Sequence, residues 1–326
     1  MILHKLLYIN LFRMTSILLS ESEKTFICHG VEDNFRTDGR ARGDVRPLVL
    51  ETGVVSHASG SCHLRLANTD ILVGVKTELE TPDPGEPDQG RIEFFVDCSA
   101  NATPSFEGRG GESLATAISG VLSRAYSSKE VLDLSSLVVL SGHTCWILYV
   151  DILVLEVGGN ILDAVSIAVK AALATTRIPK LNVTSVDGGE PEIEICDSVG
   201  TEGYTRLDVA QAPVVVTTAR IGNQCVVDPS PEEEECSSAS LLVAVTPEGE
   251  IYSECARIYV ELVLNKYSQG KLSTVRKLGS GSFHPSTMMS AIKMAGEVGV
   301  EINRVMMEKI RQEEALGENR EKIGFL

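Results

Sequence analysis

The stretch Cys145–Pro179, CWILYVDILVLEVGGNILDAVSIAVKAALATTRIP, decides the architecture of the chain. Its first part is apolar with alternating large residues, the pattern of a strand buried on both faces. Gly158 and Gly159 form a hinge. From Asn160 to Thr175 the composition turns Ala-rich, with apolar residues nearly all round, among them Ile161, Leu162, Val165, Ile167, Val169 and Leu173. A helix of that kind lies inside a sizeable protein or between subunits. Its only charges, Asp163 and Lys170, share roughly one face. Asn160 is a candidate N-cap, and Pro179 follows the helix end. A helix that starts after a Gly-Gly turn also points unpaired N–H groups and its positive dipole end at any anion nearby.

Upstream, Leu18 to Val31 is amphipathic and predicts a helix packed on the body through Leu18, Leu19, Phe26 and Ile27, with Ser20 and Glu23 as a capping box. Arg36-Thr37-Asp38-Gly39-Arg40 reads as a charged turn. Arg46–Val55, Ser61–Leu66, Ile71–Leu79 and Arg91–Cys98 are strand candidates in sequence, most simply antiparallel. The polar Pro/Gly stretch 81–89 is a loop, and so is 106–112. A helix is predicted over 112–126, and Ser135–Ser141 leads into the opening stretch. The first half is therefore a sheet, then helix, strand, helix.

Downstream, the acidic, Gly-rich stretch from Asp187 to Tyr204 reads as a linker with one weak strand. The second half repeats the order of strands followed by a helix: Pro213–Ile221, Gln224–Val227 and Ala239–Val245, then a long helix from Pro285 to about Leu316 with Met288, Ile292, Ala295, Val298, Ile302 and Ile310 at helical spacing. Glu232–Glu235 reads as a solvated, self-repelling turn rather than a metal patch. The expected division is an N-terminal extension and helix over 1–30, a first domain over 31–185, an acidic linker over 186–205 and a second domain over 206–326. Residues 255–273 are either an extra strand or a segment foreign to that domain. The fold class is α/β (α+β), two related halves, each a mixed sheet packed by helices.

Composition narrows the function. At 326 residues, 43% apolar and 23% charged, the chain is globular. A net charge of −16 argues against a stand-alone nucleic-acid binder, though not against a subunit lending a few arginines to a shared channel. The eight cysteines lack CxxC spacing and read as buried reduced thiols rather than zinc ligands or disulfides. The first twenty residues are too short and too interrupted, by Lys5, Asn10 and Arg13, for a membrane span, and Met14 is a candidate start. No later segment reaches the length of a transmembrane helix without a charge or a Gly-Gly break. No HExxH, Walker A or GxSxG motif is present, and no metal or cofactor is expected.

Several stretches together resemble the RNase PH family: Arg36-x-Asp38-Gly39-Arg40, VSHASGSCHLRLANTDILVGVKTE, EFFVDCSANATPSFEGRGG, and the strand–Gly158-Gly159–helix. The likeness covers roughly residues 20–254 and 273–326. It implies an RNase PH-like fold with βαβ-containing halves, six such domains closing a ring around an RNA channel. In active members phosphate attacks the 3′-terminal phosphodiester of RNA and releases a nucleoside diphosphate. Such members follow the Gly-Gly with Thr or Ser and then Arg, and carry two aspartates six residues apart in the second half.

Here those positions are Asn160 and Ile161, then Glu234 and Ser240. Isoleucine cannot grip phosphate bidentately, and serine carries no charge near neutral pH. Gly158, Gly159, Asn160 and Ile161 thus read as a degenerate phosphate site; losing one preorganised charge already costs roughly 10²–10³ in rate. What the resemblance leaves is RNA contact, with Arg109 in its Gly-flanked loop the best candidate and Arg36, Arg40, Arg42 and Arg65 weaker. For each the competing reading is a surface ion pair, and Asp38 is a partner for Arg36 or Arg40. The expectation is a non-catalytic structural ring subunit of the RNA exosome supporting 3′-to-5′ RNA processing, including rRNA maturation and mRNA turnover. Its partners would be other RNase PH-like ring subunits, OB-fold cap subunits and RNA in the channel, in the nucleus, nucleolus and cytoplasm. The alternatives are an active phosphate-dependent exoribonuclease and an adaptor with no RNA role.

Overall fold

A computed structural model describes residues 17–129, 131–184, 192–195, 203–248, 274–278 and 281–316. The segments 1–13 and 255–273, and most of the expected linker, lie outside the described residues.

Two sheets and the helix between them make the molecule. The first sheet has the order β1 (Leu48–Thr52), β2 (Gly60–Leu66), β3 (Thr69–Glu80), β6 (Thr144–Glu156), β4 (Arg91–Cys98), with the short β5 (Val138–Leu140) paired to β6. The expected sequential antiparallel order holds along β1, β2 and β3 only; β6 takes the place beside β3 expected for β4, and β4 pairs with β6 in parallel. The reason is the helix α2 (Glu112–Ala125), which packs on β4 and carries the chain back to the starting end of the sheet. Of the run 135–141 only β5 is strand, because a 3₁₀ turn occupies Leu134–Leu137. The second sheet, β12 (Gln224–Val227), β11 (Val214–Ile221), β13 (Ala239–Val245), β14 (Thr274–Leu278), is antiparallel throughout its described pairs. Smaller pairs join β7 (Arg177–Pro179) to β10 (Tyr204–Arg206), and β8 (Leu181–Thr184) to β9 (Glu192–Ile195).

The helix α3 (Ile161–Thr175) is enclosed within the chain, with every residue from Ile161 to Leu173 buried. It lies on β2 and β3 with one face and on β11 with another, and it touches the long helix α5 (Pro285–Leu316). No face is left for a neighbouring subunit, so the reading of this helix as a subunit contact is corrected to core. Each Leu, Val or Ile so buried contributes about 1.5–3 kcal/mol. Contact with β2 is close enough that a Cβ at Gly60 would stand 2.6 Å from the Ala172 carbonyl oxygen.

Two corrections concern the ends of the first and second halves. Helix α1 (Glu21–Glu32) has the expected Ser20–Glu23 capping box and buries Ile27 and Val31, but Phe26 and Leu18 face solvent. Glu232–Glu235 is no solvated turn. It lies in a helix, α4 (Pro231–Cys236), with Pro231 in the first turn and a second capping box between Ser230 and Glu233.

Candidate functional site

The hinge between β6 and α3 is held from outside by Arg46. Its guanidinium donates to the carbonyl oxygens of Gly158 and Gly159, and its Nε and Nη2 reach the two oxygens of Asp228 at 2.9 and 2.8 Å. Thr69 Oγ1 accepts from Gly158 N at 3.1 Å and donates to Gly159 O at 2.6 Å. Gly158 has no room for a side chain, since a Cβ there would lie 2.6 Å from Asn68. Gly159 (φ +85°) and Asn160 (φ +51°) are both left-handed, which is how the strand turns into the helix in two residues.

Asn160 stands at the N-cap, but its side chain does not cap the helix. Its Nδ2 donates instead to Asp163 Oδ2 and Asp228 Oδ1, both at 2.8 Å, and its buried Oδ1 has no hydrogen-bond partner among the described residues. Its backbone N–H, the group an anion would take, donates to Glu234 Oε1 at 2.7 Å. The chain's own carboxylate therefore occupies this N–H of the helix start.

Three carboxyl groups converge here and their environments separate them. Burial pushes Asp163 up to about 7, against the opposing hydrogen bonds from Thr217 N (2.8 Å) and Thr217 Oγ1 (2.6 Å) and with repulsion from Asp228. Burial pushes Glu234 up to about 8; the carboxyl end is enclosed although the residue keeps some surface on solvent. Burial acts on Asp228 too, but Arg46 and Asn160 outweigh it and hold that carboxyl below its usual range. Near neutral pH the cluster thus holds one firmly ionised carboxylate and two groups close to their titration points.

Of the residues singled out in the sequence, Gly158, Gly159 and Asn160 meet Glu234 here. Ile161 is 6% exposed and belongs to the apolar core. Ser240 lies on β13 opposite Ala219 and Leu278 and makes no hydrogen bond to the cluster. Arg36 is 1% exposed and fully engaged: Nε donates to Glu233 Oε1 at 2.8 Å, Nη2 to Glu233 Oε2, and the guanidinium also to the carbonyls of Asp44, Val227 and Asp228. It has no surface to offer RNA. Arg40, not Arg36, takes Asp38 (2.6 Å), and it reaches Asp228 at 3.1 Å. Arg42 donates to Asn34. Arg65 is half-exposed, 3.5 Å from Asp70. Arg109 stands out from the surface, 89% exposed, with Glu112 at 3.6 Å.

Sequence reasoning passed over Arg46 and Asp228, the pair that fastens the hinge. The density of arginine between 36 and 46 was the available signal, because such a run seldom faces solvent on all sides of a turn.

With this geometry in hand, the comparisons with known proteins fall into line. Residues 44–179 match domain 1 of the 3′ exoribonuclease family, and residues 211–298 match domain 2. A Dictyostelium discoideum protein named as a putative exosome complex exonuclease RRP42 is 32% identical over 90% of this chain and 98% of its own. The exosome complex component Rrp42 of Thermococcus kodakarensis is 33% identical over 84% of this chain and 90% of its own. Among solved structures, a chain of the Archaeoglobus fulgidus exosome with RNA bound to the active site superposes with a TM-score of 0.67 at 27% identity, covering 88% of this chain and 96% of that one. Rice Rrp46, with a TM-score of 0.56 at 16% identity, shares the fold. Both family domains are present in order and the relatives align over nearly their full length: the chain belongs to the RNase PH family of 3′ exoribonuclease proteins.

Proposed function

We propose that this chain is a ring subunit of an exosome complex, working in 3′-to-5′ RNA processing as a structural member without phosphorolytic chemistry of its own. The observation that carries the reading is the Glu234 carboxylate on the Asn160 N–H, at the helix start where phosphate would bind. Arg46, the cation that touches the hinge, is already clamped on Asp228. An arriving phosphate would meet the ionised Asp228, with Asp163 and Glu234 close to their titration points beside it, and both nearby guanidinium groups, Arg40 and Arg46, are already paired with Asp228. Asn160 and Ile161 supply no cation either.

Names of the relatives support the assembly part, since they are called exosome proteins; in this reading the partners are other RNase PH-like subunits, with OB-fold cap subunits beyond them. Within the ring, Arg109 on its exposed loop is the candidate for contact with RNA. A nuclear, nucleolar and cytoplasmic location follows from the same reading.

The test is release of nucleoside diphosphate from a short RNA in the presence of inorganic phosphate, with the purified full chain. No release is expected. Phosphate-dependent turnover that Glu234→Gln abolishes would overturn the non-catalytic reading. The ring assignment fails separately if the native chain is monomeric and retains no RNase PH-like partner on co-purification.

A further inference from the structure

Consecutive phenylalanines on β4 face opposite ways, as a strand requires. Phe94 is buried and stacks on Tyr126 with ring centroids 5.5 Å apart. Phe95 is 51% exposed and packs against Tyr149 of β6, centroids 6.0 Å apart and planes tilted by 41°, on the outer face of the first sheet. Two further observations meet at this place. First, β4 ends the sheet, and outside its ladder with β6 none of residues 91–98 makes a main-chain hydrogen bond among the described residues. Second, the rings are bordered by carboxylates: Glu78, Glu80, Glu93, Asp97 and Asp151. The two nearby cations are engaged, Lys76 by Glu78 and Arg91 by Glu80 and Glu93. Asp97 and Asp151 are exposed and make no ion pair among the described residues, although Asp151 also feels the charge of Lys76, and Asp151 stands directly beside Phe95 in register.

An open strand edge is a template for another strand. The charge selects which one. An RNA strand would bring phosphates against carboxylates. A second copy of this chain would set Glu93 and Asp97 against the same acids. A basic segment meets neither objection. Arginine fits better than lysine, because its planar guanidinium lies flat on an aromatic face while its N–H groups reach a carboxylate.

We propose that β4 accepts an extended, arginine-bearing segment of another protein as an added strand, with alternate arginines seated over Phe95 and Tyr149 and bonded to Asp97 and Asp151. The site stands on the first sheet alone and does not depend on the ring-subunit reading.

The test is fluorescence anisotropy of the full chain with a labelled peptide as long as β4 that alternates arginine with threonine. It is compared with the lysine version, with a version carrying proline at alternate positions, and with an oligoadenylate RNA. Saturable binding of the arginine peptide is expected, tighter than the lysine peptide and lost with proline. Phe95→Ser should weaken it about tenfold, and Asp97→Asn with Asp151→Asn should weaken it and flatten its salt dependence. These side chains are exposed, so melting temperatures should not move. The control Glu301→Gln with Glu308→Gln, on α5, should leave binding unchanged. The proposal is overturned if the peptide does not saturate, if Phe95→Ser or the aspartate pair leaves binding intact, if the lysine or proline peptide binds as well, if the α5 control loses it equally, or if the RNA binds at Phe95 instead.

Discussion

Lys170→Met tests whether an uncharged amine sits at the centre of the molecule. Lys170 is fully buried in α3, and its Nζ donates to the Ala212 carbonyl and, at 2.7 Å, to Asn303 Oδ1 of α5. Burial alone brings its pKa down from 10.5 to about 7. The unfolded chain keeps the ordinary value, so between those limits the unfolded state binds more protons than the folded one. Stability therefore rises with pH from about 7 toward 10.5, and the burial penalty is fully felt below about 7. From pH 7 to about pH 9 the gain is roughly 2 kcal/mol, or about 4 °C in melting temperature for a chain of this size. Methionine has similar bulk and no proton to lose. The variant leaves two acceptors without their donor, at about 1–3 kcal/mol, a cost that does not depend on pH. Urea unfolding followed by the single tryptophan, Trp146, should thus show the wild type pulling ahead of the variant as pH rises. Asp163 and Glu234 titrate in the same range, but they are present in both proteins and cancel in the difference. Parallel curves for the two proteins between pH 7 and 9 would refute the reasoning, because they would mean that the folded amine stays charged.

Arg36→Ala should cost about 3–5 kcal/mol in urea unfolding, since it strands Glu233, 1% exposed, without its cation. Arg36→Met combined with Glu233→Leu should recover part of that loss, because it removes the stranded charge but leaves the Ser230 N–H and three carbonyls without these partners. A double variant as weak as Arg36→Ala would contradict the burial argument. Glu234 has a folded pKa above its unfolded one, so its contribution is fully present below about 4.5 and is lost as pH rises through about 8. Glu234→Gln does not titrate, and its melting temperature should gain on the wild type steadily from pH 5 to pH 8. A constant offset over that range would mean that the carboxyl is ionised throughout.

Elements were legible where the hydrophobic period was long and unbroken. The change of period at Gly158-Gly159 located β6 and α3, Arg91–Cys98 was found as β4 to the residue, and the apolar spacing after Pro285 gave α5 its full length. Contacts over long separations were not legible. Arg36 meets Glu233 across 197 residues, and no local pattern announces that an arginine in a turn will be enclosed by a helix of glutamates. The helix α4 was readable in principle, because Ser230-Pro231-x-Glu233 is a capping box with Pro in the first turn. A run of four like charges masked it, since repulsion argues for solvent and the buried guanidinium that reverses that argument lies in the other half of the chain. The parallel pairing of β4 with β6 was hidden for a similar reason: it depends on where α2 returns the chain, which strand composition does not encode.

The enclosure of α3 also sets a schedule for synthesis. The helix is complete when residue 175 leaves the ribosome, but the layer over its second face comes from β11 and from α5, which ends at Leu316. At about 5–20 residues per second, roughly 7–28 s pass between the two. During that interval an almost wholly apolar helix, with Lys170 still lacking both acceptors, waits on a half-built protein. The nascent first half therefore exposes apolar surface that the finished fold covers, the condition under which aggregation competes with folding during translation.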